Sequence, residues 1–258
     1  MTASSDGIRL WGSTSGSGQW VTLLHSLGVD HSIWSAQLAA LSKRFSVLAL
    51  DLRGHGRSPV PEGPYSLSML AADVVSTWDG LGIARSHVVG ISIGGFVGQH
   101  LGFEHADRVG RLVLADTVAA YPPEASATWP ERIRTLEAQG VAPLVNGTLE
   151  RWFTAPWRAA NPERLAEIGR LIAHTPVMGY IGCCHAISKL DTRPQLARVQ
   201  APTLVLCGEH DLGTPPALAR EVAAKIAGAR FELIPSAAHL SCVEQADRFN
   251  QLMLDFLG

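Results

Sequence analysis

The stretch Val88-Val89-Gly90-Ile91-Ser92-Ile93-Gly94-Gly95 decides how the rest of the chain is read. Two apolar residues lead into a Gly-x-Ser-x-Gly pattern, and an amphipathic segment begins at Phe96, which is the signature of a strand, a sharp turn and a helix. A serine on such a turn has a strained backbone, and strand and helix pass so close there that only small residues fit two positions to either side. The Ser92 hydroxyl is then presented at the tip of the turn. With 25 glycines in 258 residues the pattern also arises by accident, so its meaning depends on partners. A nucleophilic serine needs a base for its proton, a carboxylate to orient that base, and N–H donors for an oxyanion.

Outward from the turn, short apolar runs closed by turn residues predict strands over 8–11, 20–24, 45–50, 87–91, 112–115, 203–207 and 231–234. Helical spacing lies between or beyond them over 34–41, 67–81, 96–103, 217–226 and 243–257. This alternation predicts an α/β fold with a mostly parallel central sheet flanked by helices. Residues 119–199 interrupt it with several helical patterns, three tryptophans (Trp129, Trp152, Trp157) and no convincing strand. The expectation is an all-helical cap, or lid, over 119–199, inserted in a core made of 1–118 and 200–258. Pro122-Pro123 and Pro194 mark its ends, because proline disfavours continued helix. Such an insertion at the carboxyl ends of strands sits over an active site. The glycine-rich run 12–18 lacks the Lys-Ser or Lys-Thr of a phosphate loop and reads as a hairpin turn.

Composition narrows the partners. A net charge of −2 provides no bulk attraction to nucleic acid or to an anionic membrane surface, so a small molecule is the expected partner. Residues 1–11 lack the basic-then-apolar pattern of a secretory signal, and no apolar run reaches transmembrane length, so a cytoplasmic location is expected. Cys183, Cys184, Cys207 and Cys242 have neither a disulfide-framework spacing nor a zinc spacing and read as reduced packing residues. None of the ten histidines stands in a His-Glu-x-x-His arrangement, and no metal is expected.

The partners of Ser92 follow it in the chain. After the strand at 203–207 comes Gly208-Glu209-His210-Asp211, and after the strand at 231–234 comes Ser236-Ala237-Ala238-His239. Both place their polar residue on a loop at a strand's carboxyl end. Asp211 is the leading acid, and Asp116, at the end of the 112–115 strand, competes with it. For the oxyanion, Ile93 supplies one backbone N–H, and Leu27 in His25-Ser26-Leu27-Gly28 is the candidate for the other. His25 and His55 read as braces of their loops, and His210 as structural.

The order serine, acid, histidine, with these loops, resembles the α/β-hydrolase superfamily along essentially the whole chain. More narrowly, the chain is similar to the 3-oxoadipate enol-lactonases in Ser26-Leu27-Gly28-Val29-Asp30 with Trp34, Gly63-Pro64-Tyr65, Arg151-Trp152-Phe153-Thr154, Asp211-Leu212-Gly213-Thr214-Pro215-Pro216, and Ala238-His239-Leu240-Ser241 with Val243-Glu244-Gln245. The resemblance implies an α/β-hydrolase fold and hydrolysis of a small carboxylate-bearing enol-lactone through an acyl-serine. It implies no organic cofactor or metal. Trp129, Arg132, Arg134, Trp152 and Trp157 are the candidate substrate-binding residues of the cap, with Arg151 and Arg158 as further arginines there. A general carboxylesterase, a carbon–carbon bond hydrolase and a non-catalytic ligand receptor are the competing expectations on the same scaffold.

Overall fold

The computed structural model describes residues 7–258. The reading of the N-terminus, and the start of the core expected at residue 1, therefore fall partly on residues 1–6, outside the described residues. The strands are β1 (Gly12–Gly16), β2 (Trp20–Leu24), β3 (Ser46–Leu50), β4 (Ser86–Ile91), β5 (Val109–Ala115), β6 (Thr203–Gly208) and β7 (Arg230–Ile234). They form one sheet in the order β1-β3-β2-β4-β5-β6-β7, in which β1 is antiparallel to β3 and the other pairings are parallel.

Parallel strands covered on both faces read as continuous apolar runs, and Val88, Val89, Ile91, Leu112, Val113 and Leu114 are all fully buried. Helices α1 (Ser35–Leu41), α2 (Leu67–Gly80) and α3 (Ile93–Glu104) follow β2, β3 and β4. Ser66 caps α2 by accepting from the Met69 N–H at 3.2 Å. Between β5 and β6 the chain forms α4 (Pro123–Ser126), α5 (Trp129–Gln139), α6 (Val145–Trp152), α7 (Ala155–Ala160), α8 (Pro162–His174) and α9 (Val177–Ser188). It ends with α10 (Pro216–Lys225) before β7, then α11 (Ser241–Glu244) and α12 (Ala246–Leu257). α2 packs on α3 and α1 on α12. Among the described residues no helix is long and apolar enough to cross a membrane.

Three expectations need correction. Residues 8–11 are not a strand: the amides of Ile8, Leu10 and Trp11 donate to the side chains of Asp73, Thr77 and Ser58 at 2.8–2.9 Å, not to a neighbouring strand. The glycine-rich run is not a hairpin turn either. Its first five residues are β1, and β3 lies between β1 and β2. The helix expected over 243–257 is two helices that break at Gln245, whose φ of −127° and ψ of 54° lie outside the helical region.

The strand order reverses at β2, which has β3 on one side and β4 on the other. Loops leaving the carboxyl ends of β2 and β4 therefore diverge from a common crevice, where open α/β sheets bind ligands. The first of these loops carries Ser26 and Leu27, and the second carries Ser92.

Candidate active site

Ser92 sits between β4 and α3 with φ 57° and ψ −120°, a strained conformation for a residue with a side chain. Its amide donates to Ala115 O at 2.9 Å, which fixes the turn against β5. A Cβ on Gly90 would lie 2.1 Å from Gly94 O, and one on Gly94 2.2 Å from Leu24 O, so the glycines let strand, helix and the β2 end approach.

The structure brings Ser92, His239 and Asp211 together. Ser92 Oγ is 2.9 Å from His239 Nε2, and His239 Nδ1 is 2.8 Å from Asp211 Oδ2. All three are buried. Asp211 also accepts from the amides of Gly213 and Thr214 at 2.8 and 2.9 Å and from the Thr214 hydroxyl at 2.5 Å. Burial pushes its carboxyl up, but the His239 charge and these hydrogen bonds hold it below the usual aspartate value. For His239, burial works downward and the Asp211 carboxylate outweighs it, leaving the imidazole more basic than usual. With Asp211 accepting at Nδ1, the neutral ring carries its proton there and turns the lone pair of Nε2 toward Ser92.

Asp116, the competing acid, faces elsewhere. It accepts from the Gly208 amide at 2.8 Å and from the Ser241 hydroxyl and amide at 2.5 and 3.3 Å. Burial, reinforced by the Asp211 charge, pushes its carboxyl up to about 8. It thus ties the Asp211 loop to the His239 loop.

The oxyanion candidates Leu27 and Ile93 lie on the segments that follow β2 and β4. Leu27 lines the same cavity as Ser92 and His239, and Ile93 opens α3, where a first-turn amide has no acceptor within the helix. The Leu27 loop is braced from both sides. The His25 ring donates through Nδ1 to Ser26 O at 2.7 Å and accepts from the Leu52 amide at Nε2 at 2.8 Å. His55 Nε2 accepts from the Gly28 amide at 2.9 Å. Burial lowers both imidazoles, that of His55 to about 3, so both are neutral and can accept. His210 is exposed.

The cavity encloses about 210 Å³. Trp129, Arg132 and Trp152 line it, as do Arg151, Tyr121 and Tyr180, of which the two tyrosines carried no signal in the sequence beyond their aromatic character. Arg132 donates to Tyr180 Oη at 2.5 Å, its guanidinium lies 5.4 Å from the Trp129 ring centroid, and its Nε is buried without a partner. Among the described residues no carboxylate pairs with it.

Two candidates fall outside. Arg134 lies on the exposed face of α5, paired with Glu131. Trp157 stacks on Phe153, with ring centroids 4.3 Å apart, and lines an outer groove with Leu212. Arg158 is spent on the carbonyls of Glu150 and Phe153. Glu244, quoted above only within a motif, accepts from the Ala238 amide at 2.7 Å and from the Thr154 amide and hydroxyl at 3.0 and 2.5 Å. It thereby joins the His239 loop to the helical segment.

Two groups of potential metal ligands come together among the described residues, Asp30-His31-Asp51 and Asp116-Cys207-Asp211. In the first, His31 Nδ1 and the His31 and Arg57 amides already occupy the Asp51 carboxylate. In the second, burial pushes the Cys207 thiol up, so it keeps its proton, and both carboxylates are occupied by N–H and O–H donors. The four cysteines are free and buried.

Comparison with known proteins identifies the family. A family model described as alpha/beta hydrolase fold matches residues 19–246. The chain is 35% identical to 3-oxoadipate enol-lactonase 2 of Acinetobacter baylyi over 226 residues, covering 88% of this chain and 84% of that protein. The crystal structure of the enol-lactonase from Burkholderia xenovorans LB400 superposes with a TM-score of 0.92 at 41% identity, covering 96% of each chain. A thermophilic esterase from Thermogutta terrifontis, solved with malate bound, has a TM-score of 0.93 at 29% identity, covering 99% of this chain and 95% of that one. The chain belongs to the alpha/beta hydrolase family.

Proposed function

We propose that this protein is a cytoplasmic serine hydrolase that opens a small carboxylate-bearing enol-lactone, 3-oxoadipate enol-lactone, to 3-oxoadipate in the β-ketoadipate route of aromatic catabolism. One observation carries the reading: a single cavity is lined by Ser92 and His239, which Asp211 backs, and by an arginine, Arg132, that has no carboxylate partner among the described residues. The chain suits attack on an acyl carbon, and the arginine suits an anionic group on the same molecule. The enol-lactonase relatives support the substrate class, and the malate bound by the esterase is itself a dicarboxylate.

In this mechanism Ser92 Oγ attacks the lactone carbonyl as His239 Nε2 takes its proton, and Asp211 stabilises the imidazolium. The amides of Leu27 and Ile93 hold the oxyanion. Collapse breaks the ring C–O bond, and His239 returns the proton to the leaving enol oxygen. The enol remains tethered, but its keto tautomer is a poor nucleophile, so reclosure is suppressed. Water activated by His239 then attacks the acyl-serine, and the second collapse frees Ser92 and the product acid. No organic cofactor or metal enters any step. Residues 119–199 act as the cap that shapes the cavity over the core of 1–118 and 200–258, with Arg132 and Arg151 as its cationic wall.

A general carboxylesterase is the second reading, favoured by the structural match to the Thermogutta esterase. Kinetics of Arg132→Gln separate the two. Loss of a charge-assisted contact should raise KM for the enol-lactone by about tenfold or more and leave KM for p-nitrophenyl acetate within about twofold. Turnover of the nitrophenyl ester without turnover of the lactone selects the esterase.

A further inference from the structure

Five buried side-chain polar atoms lack a hydrogen-bond partner among the described residues, and two of them, Ser26 Oγ and Arg132 Nε, belong to residues lining the cavity at Ser92. Arg132 is accounted for by an anionic substrate. Ser26 is not accounted for: its Oγ is shielded from solvent and, among the described residues, neither donates to nor accepts from any other group. A buried hydroxyl left unpaired is destabilising, and alanine would fill the same space without that cost. Such a group in a ligand cavity points to a partner that arrives with the ligand.

Its position specifies that partner. Ser26 Oγ and the Leu27 amide nitrogen are separated by four covalent bonds, and both residues line the cavity that Ser92 lines, so the hydroxyl lies next to the candidate oxyanion amide. The intervening backbone is fixed by the His25 bond to Ser26 O, and the next amide, of Gly28, is held by His55. A donor held rigidly before the reaction needs no reorganisation when charge develops.

We propose that the Ser26 hydroxyl donates a third hydrogen bond to the oxyanion formed on the attacked acyl carbon, beside the amides of Leu27 and Ile93. The proposal rests on the reading of Ser92 as nucleophile but not on the identity of the lactone. It is therefore tested on p-nitrophenyl acetate, with Ser92→Ala as the reference for the nucleophile.

Ser26→Ala should lower kcat by about 10- to 100-fold with KM within about twofold, because the bond forms only in the transition state. Affinity for phenylboronic acid, whose tetrahedral serine adduct mimics the oxyanion, should fall by a similar factor. Ser26→Thr, which keeps a hydroxyl, should retain kcat within about fivefold, and the melting temperature of Ser26→Ala should equal or exceed that of the parent, since an unpaired buried hydroxyl is removed. An unchanged kcat in Ser26→Ala beside an inactive Ser92→Ala would overturn the third donor and leave the nucleophile standing. Equal losses in the Ala and Thr variants would also overturn it, by pointing to packing. An active Ser92→Ala would instead remove the nucleophile itself.

Discussion

Two buried carboxylates lie close to His239, and their partners separate their roles. Asp211 bonds to the imidazole at 2.8 Å, whereas Asp116 is occupied by Gly208 and Ser241. The account predicts that Asp211→Asn lowers kcat by about 10⁴-fold, because it stabilises the wrong tautomer of His239. Asp116→Asn, which keeps an oxygen for the Gly208 amide, should lose less than about tenfold; steady-state kinetics of the two variants checks the assignment. The sequence could not choose between them, since each follows a strand of the same sheet and only their distant partners differ. His239 yields a pH prediction. In the proposed mechanism the neutral ring is the base, and Asp211 raises its pKa in the folded protein, so activity should fall as pH drops through a value above the usual 6.5. The acid limb of the kcat/KM profile reports it, and a limb below 6.5 would contradict the assignment. Arg132 and Arg134 show another limit of the sequence. They are two positions apart on one helix, so about 200° of rotation separates their directions, and only the phase of α5 puts the first in the cavity and the second in solvent.

Among the elements, those with long periodic or wholly apolar patterns were legible, namely β2, β4, β6, α2 and α3. Segments whose amides bond to distant side chains were not. Residues 8–11 have the apolar content of a strand, but Asp73, Thr77 and Ser58 take up their amides. The break between α11 and α12 falls next to a remote contact that no local pattern shows, since Glu244 at the end of α11 is bonded to Ala238 and Thr154. Glu244→Ala leaves three donors without this acceptor. It should cost about 2–4 kcal/mol of unfolding free energy, measured by urea denaturation, and lower kcat through a loosened His239 loop. An unaffected denaturation midpoint would show that the bridge carries no stability.

For the molecule as a whole, strand–helix alternation was enough to predict a mostly parallel sheet, but not its order. The reversal at β2 that brings the Leu27 and Ser92 loops to one crevice is a long-range feature with no local pattern. The order Ser92, Asp211, His239 was legible because each follows its own strand, while the cavity was not, because the contacts of α5, α6 and α9 with the crevice decide its lining. In the proposed function the chemistry of the site thus comes from the loops of the sheet, and its choice of substrate from the helices whose residues line the cavity. The central claim is that Ser92 attacks the carbonyl of 3-oxoadipate enol-lactone. The most direct measurement follows the loss of enol-lactone absorbance with purified protein and with Ser92→Ala. Turnover by the parent and a drop of about 10⁴-fold or more in the variant is the predicted result; undiminished turnover by Ser92→Ala, or none by the parent, would contradict it.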